Sequence, residues 1–322
     1  MIATYLYDGQ GLGNQLWSYY ALRLISKKLQ LPYALLGGEK FKASSFISID
    51  FGLKVSAPLR DVPTAKLFPP FVNYFSEKQV VHAGEYCDVR GFDENCLYIS
   101  ENTLIDGYFQ SEELVELVEH SLNDFFIIED IPELDYLSSD DICVLNIRGG
   151  IYKKNKRLNV HKTFWDNSIA HMKQNKNIKE IVIVTDDIKY ASKLFPKIKV
   201  LEQDMHHDFV ALMKAKNVIV SNSSFSYFPL RFNARTPYII APKYWARHNV
   251  SDGYWACRSN IYSGFNYMDR KGNITDYRSC VLEVEEFMDK NAGIFFPTTH
   301  SYAAKYPNRI KSFLRNRFVK YE

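Results

Sequence analysis

A run of small hydroxyl and amide side chains, SNSS at residues 221–224, follows three apolar β-branched residues, VIV at 218–220. Such an apolar run is typical of a parallel strand buried on both faces, and ligands bind at the carboxyl ends of these strands. Hydroxyls, backbone N–H groups and the start of a following helix together favour an anion such as a phosphate. A helix cap is the alternative interpretation, although four such residues in a row exceed what a cap requires. Asn222, Ser223 and Ser224 are therefore candidate ligand-binding residues.

Two further predicted strands end in charged residues. Arg148 follows the strand at residues 142–147, while Asp186 and Asp187 close the strand at residues 180–187. A guanidinium offers paired donors to phosphate oxygens and keeps its charge. The two carboxylates can hydrogen-bond a purine edge or ribose hydroxyls, or hold a metal. Each has an ordinary alternative, since a lone Arg is commonly a surface residue and an Asp pair after a strand is commonly a helix cap.

The chain begins with a short apolar strand, a glycine-containing loop (DGQGLGNQ, residues 8–15) and a predicted helix. Gly11 and Gly13 let a ligand approach the backbone closely. A dinucleotide fingerprint needs a glycine where Asn14 stands, and no acidic residue closes a second strand at the expected distance, so the loop argues against NAD. Asn14 instead offers an amide that both donates and accepts hydrogen bonds.

These loops need a scaffold that brings strand ends together. In the second half of the chain, strands alternate with helices, which predicts a parallel doubly wound sheet. Residues 33–100 have no readable pattern, a further strand end lies at 104–110, and a helix is predicted over 112–126. The acidic segment 132–141 is interpreted as a linker between an N-terminal domain, residues 1–138, and a C-terminal domain, residues 139–322.

Composition limits the class of protein. The 322 residues are 46% hydrophobic and 24% charged, as in soluble globular proteins, and a net charge of +3 is too small to indicate nucleic acid binding. Cys143 and Cys280 lie in apolar segments and are predicted to be buried free thiols. The His206–His207 pair lacks a third ligand, so no metal site is predicted. Without a leader-like segment or an 18-residue apolar run, we expect a cytoplasmic protein.

Three motifs in this order resemble the α-1,2-fucosyltransferases of glycosyltransferase family 11. GQGLGNQL (residues 9–16) is similar to the family's GGLGNQ opening, and LNIRGGIY (145–152) resembles a diverged HVRRGDY. DFVALM (208–213) with SNSSFS (221–226) is close to the family's DxxLM and SNSSFSWW block. The match departs at several positions: Asn146 replaces the family His, Gly149 the second Arg and Ile151 the Asp, while Tyr227 and Phe228 replace the two Trp residues.

The resemblance implies a GT-B-type α/β fold of two Rossmann-like doubly wound domains facing across a cleft, the N-terminal one on the acceptor side and the C-terminal one binding the nucleotide-sugar. It also implies inversion at the sugar and no metal or other cofactor beyond a GDP-sugar donor. Arg148 would neutralise the β-phosphate as GDP leaves, and Asn14 would orient the reacting centre from the opposite domain. The remaining residues expected on the donor side are Gly11, Gly13, Asn146, Asp186, Asp187, Asp208, Asn222, Ser223, Ser224 and Phe225.

The predicted activity is that of a galactoside 2-α-L-fucosyltransferase-like enzyme. It would transfer L-fucose or a related deoxyhexose to a hydroxyl of a cell-surface glycan or O-antigen precursor, with a lipid-linked acceptor as one option. The departures leave open a colitose or heptose transferase, or a non-catalytic glycan- or nucleotide-binding relative. Asp8, Asp106 and Glu112 are the candidates for a general base.

Residues 305–320 form a predicted basic amphipathic helix. Ile310, Phe313, Leu314 and Phe318 fall on one face, and Arg and Lys residues lie largely elsewhere. Such a helix can lie on the inner face of the cytoplasmic membrane, or it can pack across the domain interface with its charges in water. Both interpretations stay open.

Overall fold

The structure is a computed structural model that describes residues 1–55, 67–77, 80–82, 92–154, 158–243, 255, 258–290 and 295–297. The described strands are β1 (Ile2–Tyr5), β2 (Tyr33–Leu36), β3 (Ile47–Ile49), β4 (Asn73–Ser76), β5 (Val80–His82), β6 (Thr103–Asp106), β7 (Phe126–Ile128), β8 (Ile142–Ile147), β9 (Glu180–Thr185), β10 (Lys199–Val200), β11 (Asn217–Val220), β12 (Tyr238–Pro242), β13 (Phe265–Met268), β14 (Ile274–Asp276) and β15 (Phe295–Pro297). The described helices are α1 (Leu12–Leu29), α2 (Glu112–Val115), α3 (Lys162–Lys176), α4 (Ile188–Leu194), α5 (Met205–Lys214), α6 (Tyr227–Phe232) and α7 (Tyr277–Lys290).

The first unit is built on a four-stranded sheet with the order β2-β1-β6-β4, in which every pair of neighbours is parallel. β1 is apolar because both of its faces are covered. Ile2 packs into the core that contains α1, and Ala3 packs on the other face with Phe68 and Phe71. The helix α1 connects β1 to β2, as the sequence predicts.

The second unit is built on a seven-stranded sheet with the order β10-β9-β8-β11-β12-β13-β14, parallel throughout except for the β13–β14 pair. Phe164 and Trp165 of α3 cover one face, and Phe209 of α5 lies in the core on the other. Helices on both faces make this a doubly wound sheet. The predicted fold class, a GT-B-type α/β protein with two Rossmann-like units, is confirmed.

The two units share one continuous apolar core. Trp17 of α1 is fully buried, and its ring centroid lies 4.4 Å from that of Tyr227 and 5.5 Å from that of Phe228, both on α6. Tyr262, which precedes β13, stacks on the same indole at 5.9 Å. The pair at 227–228 therefore joins the units by packing against α1, and this apolar contact fixes where the carboxyl ends of the two sheets meet.

The segment predicted as a single helix over 112–126 is divided, and this prediction was wrong. α2 ends at Val115, a 3-10 turn spans Leu122–Asp124, and β7 pairs antiparallel with β3. The physical reason is a capping box, since the Ser121 side chain and that of Asp124 satisfy each other's backbone N–H groups and start a new turn.

The acidic segment that we interpreted as a linker is packed rather than extended. It contains a 3-10 turn over Asp135–Ser138, and Leu137 in that turn is fully buried. The domain boundary after residue 138 remains a prediction.

Several other expectations can be compared with the described residues. Cys143 and Cys280 are buried free thiols, as predicted. None of the helices in the described ranges is both long and apolar enough to cross a membrane. The predicted basic helix at 305–320 lies outside the described residues.

Candidate active site

The polar loops that the sequence singled out follow three adjacent strands of the second sheet. Asn146 at the end of β8 is in register with Val184 of β9 on one side and Val220 of β11 on the other. The backbone N–H of Ser221 donates to the carbonyl oxygen of Asn146 at 3.0 Å. The loops that begin after β8, β9 and β11 therefore leave the same edge of the sheet side by side.

Arg148 and Asp186 form an ion pair at this edge. Nη1 of Arg148 lies 3.1 Å from Oδ2 of Asp186, and the two side chains are 33% and 28% exposed. Oδ1 of Asp186 accepts a hydrogen bond from the backbone N–H of Gly149 at 2.7 Å, and the Tyr152 ring centroid lies 5.9 Å from the guanidinium. Asp186 thus orients both the side chain and the loop, and leaves a partly exposed cation that an anionic ligand can reach.

Asp187 holds the same loop from the other side. Its carboxylate caps α4 by accepting from the N–H of Tyr190 at 3.0 Å, accepts from the N–H of Gly150 at 3.3 Å and pairs with Lys153. The Lys153 hydrogen bond is the main cause that lowers the pKa of Asp187 below its ordinary value. A Cβ at Gly149 would lie 2.4 Å from Cβ of Asp187. These contacts match the helix-cap interpretation that the sequence left open, and ligand binding by Asp187 remains a prediction.

Asp208 on α5 carries a buried carboxyl group near Asp186 of the Arg148–Asp186 ion pair. It is 8% exposed, and its Oδ1 accepts from Nε2 of Gln203 at 2.9 Å. Burial is the main cause that raises the pKa of Asp208 to about 7, and the negative charges of Asp204 and Asp186 add to the effect. A carboxyl with this pKa changes protonation near neutral pH, so it can donate as well as accept a hydrogen bond.

In the serine segment, residues 221–226, four residues are buried, and Ser224 and Phe225 are half-buried. Ser223 accepts from the N–H of Phe225 at 3.3 Å, and Nδ2 of Asn222 donates to the carbonyl oxygen of Leu158 at 3.0 Å. Oδ1 of Asn146, Oγ of Ser221 and Oδ1 of Asn222 are buried, and within the described part of the chain they have no hydrogen-bond partner. Buried polar atoms of this kind usually have partners, so each can still accept one.

A short helix follows the serine segment, as the sequence predicts. A 3-10 turn over Ser224–Ser226 comes first, and α6 has only 6 residues. A single turn of 3-10 helix aligns few peptide dipoles, and anion binding at this helical start remains a prediction. Hydroxyl and backbone N–H groups are what this segment can offer.

The glycine loop meets the serine segment directly. A Cβ on Gly13 would lie 2.4 Å from the backbone N of Phe225 and 2.4 Å from the backbone C of Ser224, whereas nothing lies within 4 Å of a Cβ on Gly11. Gly13 was predicted to let a ligand approach, but the space beside it is filled by protein backbone from the second unit. Gly11 faces open space at the N-cap of α1.

Asn14 joins the two units by hydrogen bonds. Its Oδ1 accepts from Oγ of Ser224 at 2.7 Å and from Nε2 of Gln110 at 2.8 Å. Asn14 and Arg148, the two predicted catalytic residues, have no hydrogen bond to each other within the described residues. They are linked through the serine segment, whose first residue bonds to the β8 strand and whose fourth bonds to Asn14.

The candidate bases lie in the first unit and differ in their surroundings. Asp8 is 70% exposed and pairs with Lys40 at 3.0 Å. Asp106 accepts from the Tyr74 hydroxyl at 2.6 Å. Asp8 is thus open to solvent, whereas Asp106 is hydrogen-bonded to a phenol. General-base action by either residue remains a prediction.

Glu112, the third candidate, is bound across the interface. It is 6% exposed, pairs with Arg231 of α6 and accepts from the backbone N–H of Ser263 at 3.2 Å. Burial raises the pKa of Glu112, and the Arg231 charge opposes that shift. Its contacts are those of a carboxylate that fastens the two units, which does not match the role of a base at a reaction centre.

Two residues near Asn14 were missed from the sequence. Gln110 ends a predicted strand but was not singled out, and Glu77 lies in the stretch 33–100 where no pattern was readable. Glu77 is 4% exposed, and its carboxylate accepts from the N–H groups of Tyr108 and Phe109. No local sequence signal identifies Glu77, because its partners follow a strand that is paired with its own only in the folded sheet.

The histidine pair has structural contacts. The His206 ring stacks on Phe46 with centroids 4.4 Å apart, and His207 bonds to Asp204, the N-cap of α5, at 2.7 Å. Among the described residues, no group of three or more His, Cys, Asp or Glu side chains could hold a metal ion.

Comparison with known proteins gives one curated relative. The chain is 22% identical to the O-antigen biosynthesis glycosyltransferase WbnK of Escherichia coli, over 74% of this chain and 93% of the relative. No protein-family model matches the chain.

Solved structures of fucosyltransferases also match. NodZ α-1,6-fucosyltransferase soaked with GDP-fucose has a TM-score of 0.42 with 14% identity, covering 76% of this chain and 95% of NodZ. POFUT1 in complex with GDP-fucose has a TM-score of 0.39 with 10% identity, covering 73% and 95%. A mutant of FUT1 from Arabidopsis thaliana in complex with GDP has a TM-score of 0.42 with 11% identity, covering 76% and 72%.

Proposed function

We propose that the protein is an inverting glycosyltransferase. It transfers L-fucose or a related deoxyhexose from a GDP-sugar to a hydroxyl of a cell-surface glycan or O-antigen precursor, in α-1,2 linkage. The observation that carries the proposal is the contact of Asn14 with Ser224, which places the glycine loop of one unit on the serine segment of the other. Similarity to an O-antigen biosynthesis glycosyltransferase over most of both chains supports the same class of reaction.

Each residue has a role in this proposal. Arg148 binds the β-phosphate and neutralises the charge that develops as GDP leaves. Ser223, Ser224 and Phe225 bind the diphosphate through hydroxyl and backbone N–H groups, while Asp186 or Asp208 reads the guanosine. The chemistry asked of the protein is stabilisation of a leaving diphosphate, for which fixed cations and N–H donors are well suited because they need little reorganisation.

A non-catalytic nucleotide- or glycan-binding protein is the second candidate, and one observation favours it. Gly149 stands where the resembling family has a second arginine, and the Cβ of any other residue there would lie 2.4 Å from Cβ of Asp187. The loop thus has no room for a second arginine at position 149. Release of GDP from a GDP-sugar by the purified protein would exclude this candidate.

The first experiment is thermal unfolding with GDP, UDP, ADP and NAD, each with and without magnesium. A ligand at a hundredfold excess over its dissociation constant stabilises the folded state by about 2.7 kcal/mol, which is readily measured. We expect a shift with GDP alone that does not depend on magnesium and is lost in Arg148→Ala. A shift with UDP or NAD, or none with GDP, contradicts the proposed donor.

The sugar is the next question. GDP-fucose, GDP-colitose and a GDP-heptose share the nucleotide and differ in the sugar, so turnover with each donor at saturating acceptor separates them. We expect the highest kcat/KM with GDP-fucose. A larger value for either of the other donors would retain the class of enzyme and change its substrate.

A further inference from the structure

The hydrogen bonds of Asn14 fix the direction of its side-chain amide. Both bonds are to Oδ1, one donated by Gln110 and one by Ser224, which fills the two acceptor positions of a carbonyl oxygen. Nδ2 has no hydrogen-bond partner within the described residues, and it is not among their buried unpaired atoms. The amide therefore presents its N–H₂ group, and not its oxygen, to the space beside the glycine loop.

Gln110 is itself held rigidly. Its carbonyl oxygen accepts from the N–H of Asn260 in the second unit at 3.1 Å. The preceding residue, Phe109, has a φ of 49°, a left-handed conformation that is costly for a residue with a side chain. Surrounding contacts compensate for this cost, since the Phe109 ring is 1% exposed and stacks on Phe75.

Glu77 supplies the rest of the support. Its two carboxylate oxygens accept from the N–H of Tyr108 at 2.8 Å and from the N–H of Phe109 at 3.0 Å. Hydrogen bonds from backbone N–H groups to a buried carboxylate are strong, because one partner is charged. The turn that precedes Gln110 is thus fixed at both of its amides, which places the Gln110 side chain within reach of Asn14.

We propose that Gln110 is a positioning residue that orients the Asn14 amide so that Nδ2 donates a hydrogen bond to the donor substrate at the reacting centre. The inference rests on the proposed function, because it presumes a GDP-sugar donor beside Asn14. It assigns Gln110 no contact with substrate. Its effect passes through Asn14, and this separates a positioning role from a merely structural one.

The isosteric variant Gln110→Glu is the sharpest test. It places a carboxylate oxygen where Nε2 now donates, so the Asn14 amide must reverse and turn Nδ2 away from the substrate. Gln110→Met removes the donor but keeps the length of the side chain, and the bond from Ser224 still favours the present orientation. The charge control is Gln174→Glu, at an exposed position on α3.

We expect Gln110→Glu to lower kcat nearly as far as Asn14→Ala does, and Gln110→Met to lower it by about threefold to tenfold, the range for one neutral hydrogen bond. The affinity for GDP should change less than threefold in both, and Gln174→Glu should match the wild type. In a double-mutant cycle, either Gln110 change should have no further effect on kcat once Asn14 is alanine.

Two results overturn this proposal while the proposed function stands. One is wild-type kcat in both Gln110 variants, and the other is an undiminished loss when they are combined with Asn14→Ala. If Gln110→Glu does not fold, Gln110→Met alone carries both measurements. A wild-type protein that neither binds GDP nor turns over a GDP-sugar overturns the proposed function and this inference together, so the two failures are distinguishable.

Discussion

Replacing Asp208 with asparagine should stabilise the protein increasingly as the pH rises. Burial raises the pKa of Asp208 from an ordinary 3.8 to about 7 in the folded protein. Between these values the folded protein holds a proton that the unfolded chain has released. The stability contributed by this carboxyl is therefore complete below the unfolded pKa and is lost as the pH rises through the folded pKa.

The magnitude follows from the difference between the two pKa values. Each pKa unit corresponds to about 1.4 kcal/mol, so the ionised carboxylate costs roughly 4 kcal/mol at high pH. About 2–3 kcal/mol of this cost develops between pH 5 and pH 8. Asp208→Asn removes the titration and keeps an oxygen that can accept the 2.9 Å hydrogen bond from Gln203. The difference in free energy of unfolding, variant minus wild type, should therefore increase by about 2–3 kcal/mol between pH 5 and pH 8.

Urea denaturation at pH 5, 6, 7 and 8 measures this difference directly. Asp166→Asn is the control, because Asp166 is an exposed carboxylate on α3 whose side chain is 51% accessible and pairs only with Lys162 in the ion pairs described. Its stability difference from the wild type should be the same at all four pH values. A constant difference for Asp208→Asn as well would refute the reasoning, since it would mean that Asp208 ionises normally in the folded protein.

Three further predictions concern the contacts between the units and the cation of the site. Gly13→Ala should lower the free energy of unfolding by about 1–3 kcal/mol, because its Cβ would overlap the facing backbone. Gly11→Ala should be neutral, since nothing lies within 4 Å of its Cβ, and equal urea midpoints for the two variants would contradict this. Glu112→Ala leaves Arg231 without its ion-pair partner in a buried site, so it should lower the free energy of unfolding by about 3–5 kcal/mol. Urea denaturation measures this loss, and a value below about 1 kcal/mol would count against the buried pair. Arg148→Ala should lower kcat/KM for the GDP-sugar by at least about tenfold to 150-fold, because a charged hydrogen bond to a diphosphate contributes about 1.5–3 kcal/mol. Arg148→Lys should retain part of the activity, and unchanged kcat/KM in the alanine variant would exclude Arg148 from the site.

Local pattern was enough to locate the scaffold. The strands at 142–147 and 218–220 are uniformly apolar because parallel strands of a doubly wound sheet are covered on both faces, so the sequence alone predicts both their position and their type. Their carboxyl ends then identify Arg148 and the serine segment as neighbours without any knowledge of the structure. The buried thiols of Cys143 and Cys280 follow from the same apolar context.

Local pattern failed where a residue's partner is distant in the chain. The apolar residues between 112 and 126 suit one helix. However, the capping box at Ser121 starts a new turn, and the segment that begins at residue 126 pairs with β3 as a strand. Residues 227 and 228, which follow the serine segment, pack on Trp17 of the other unit, and no local pattern predicts that contact. The capping box is a local signal, since it joins residues three positions apart, whereas the pairing of β3 with β7 and the contact with Trp17 are tertiary and outweigh a weak local preference.

By itself, the sequence determined the α/β class, the order of the main strands and the loops that carry polar residues, because these depend on periodicity and on turn chemistry within a few residues. Only the tertiary structure decided that Gly13 accommodates protein backbone, that Asn14 bridges Gln110 and Ser224, and that Glu112 serves the interface. Such contacts join residues about one hundred to two hundred positions apart, where hydrogen-bond geometry and close packing act on atoms that no local pattern brings together.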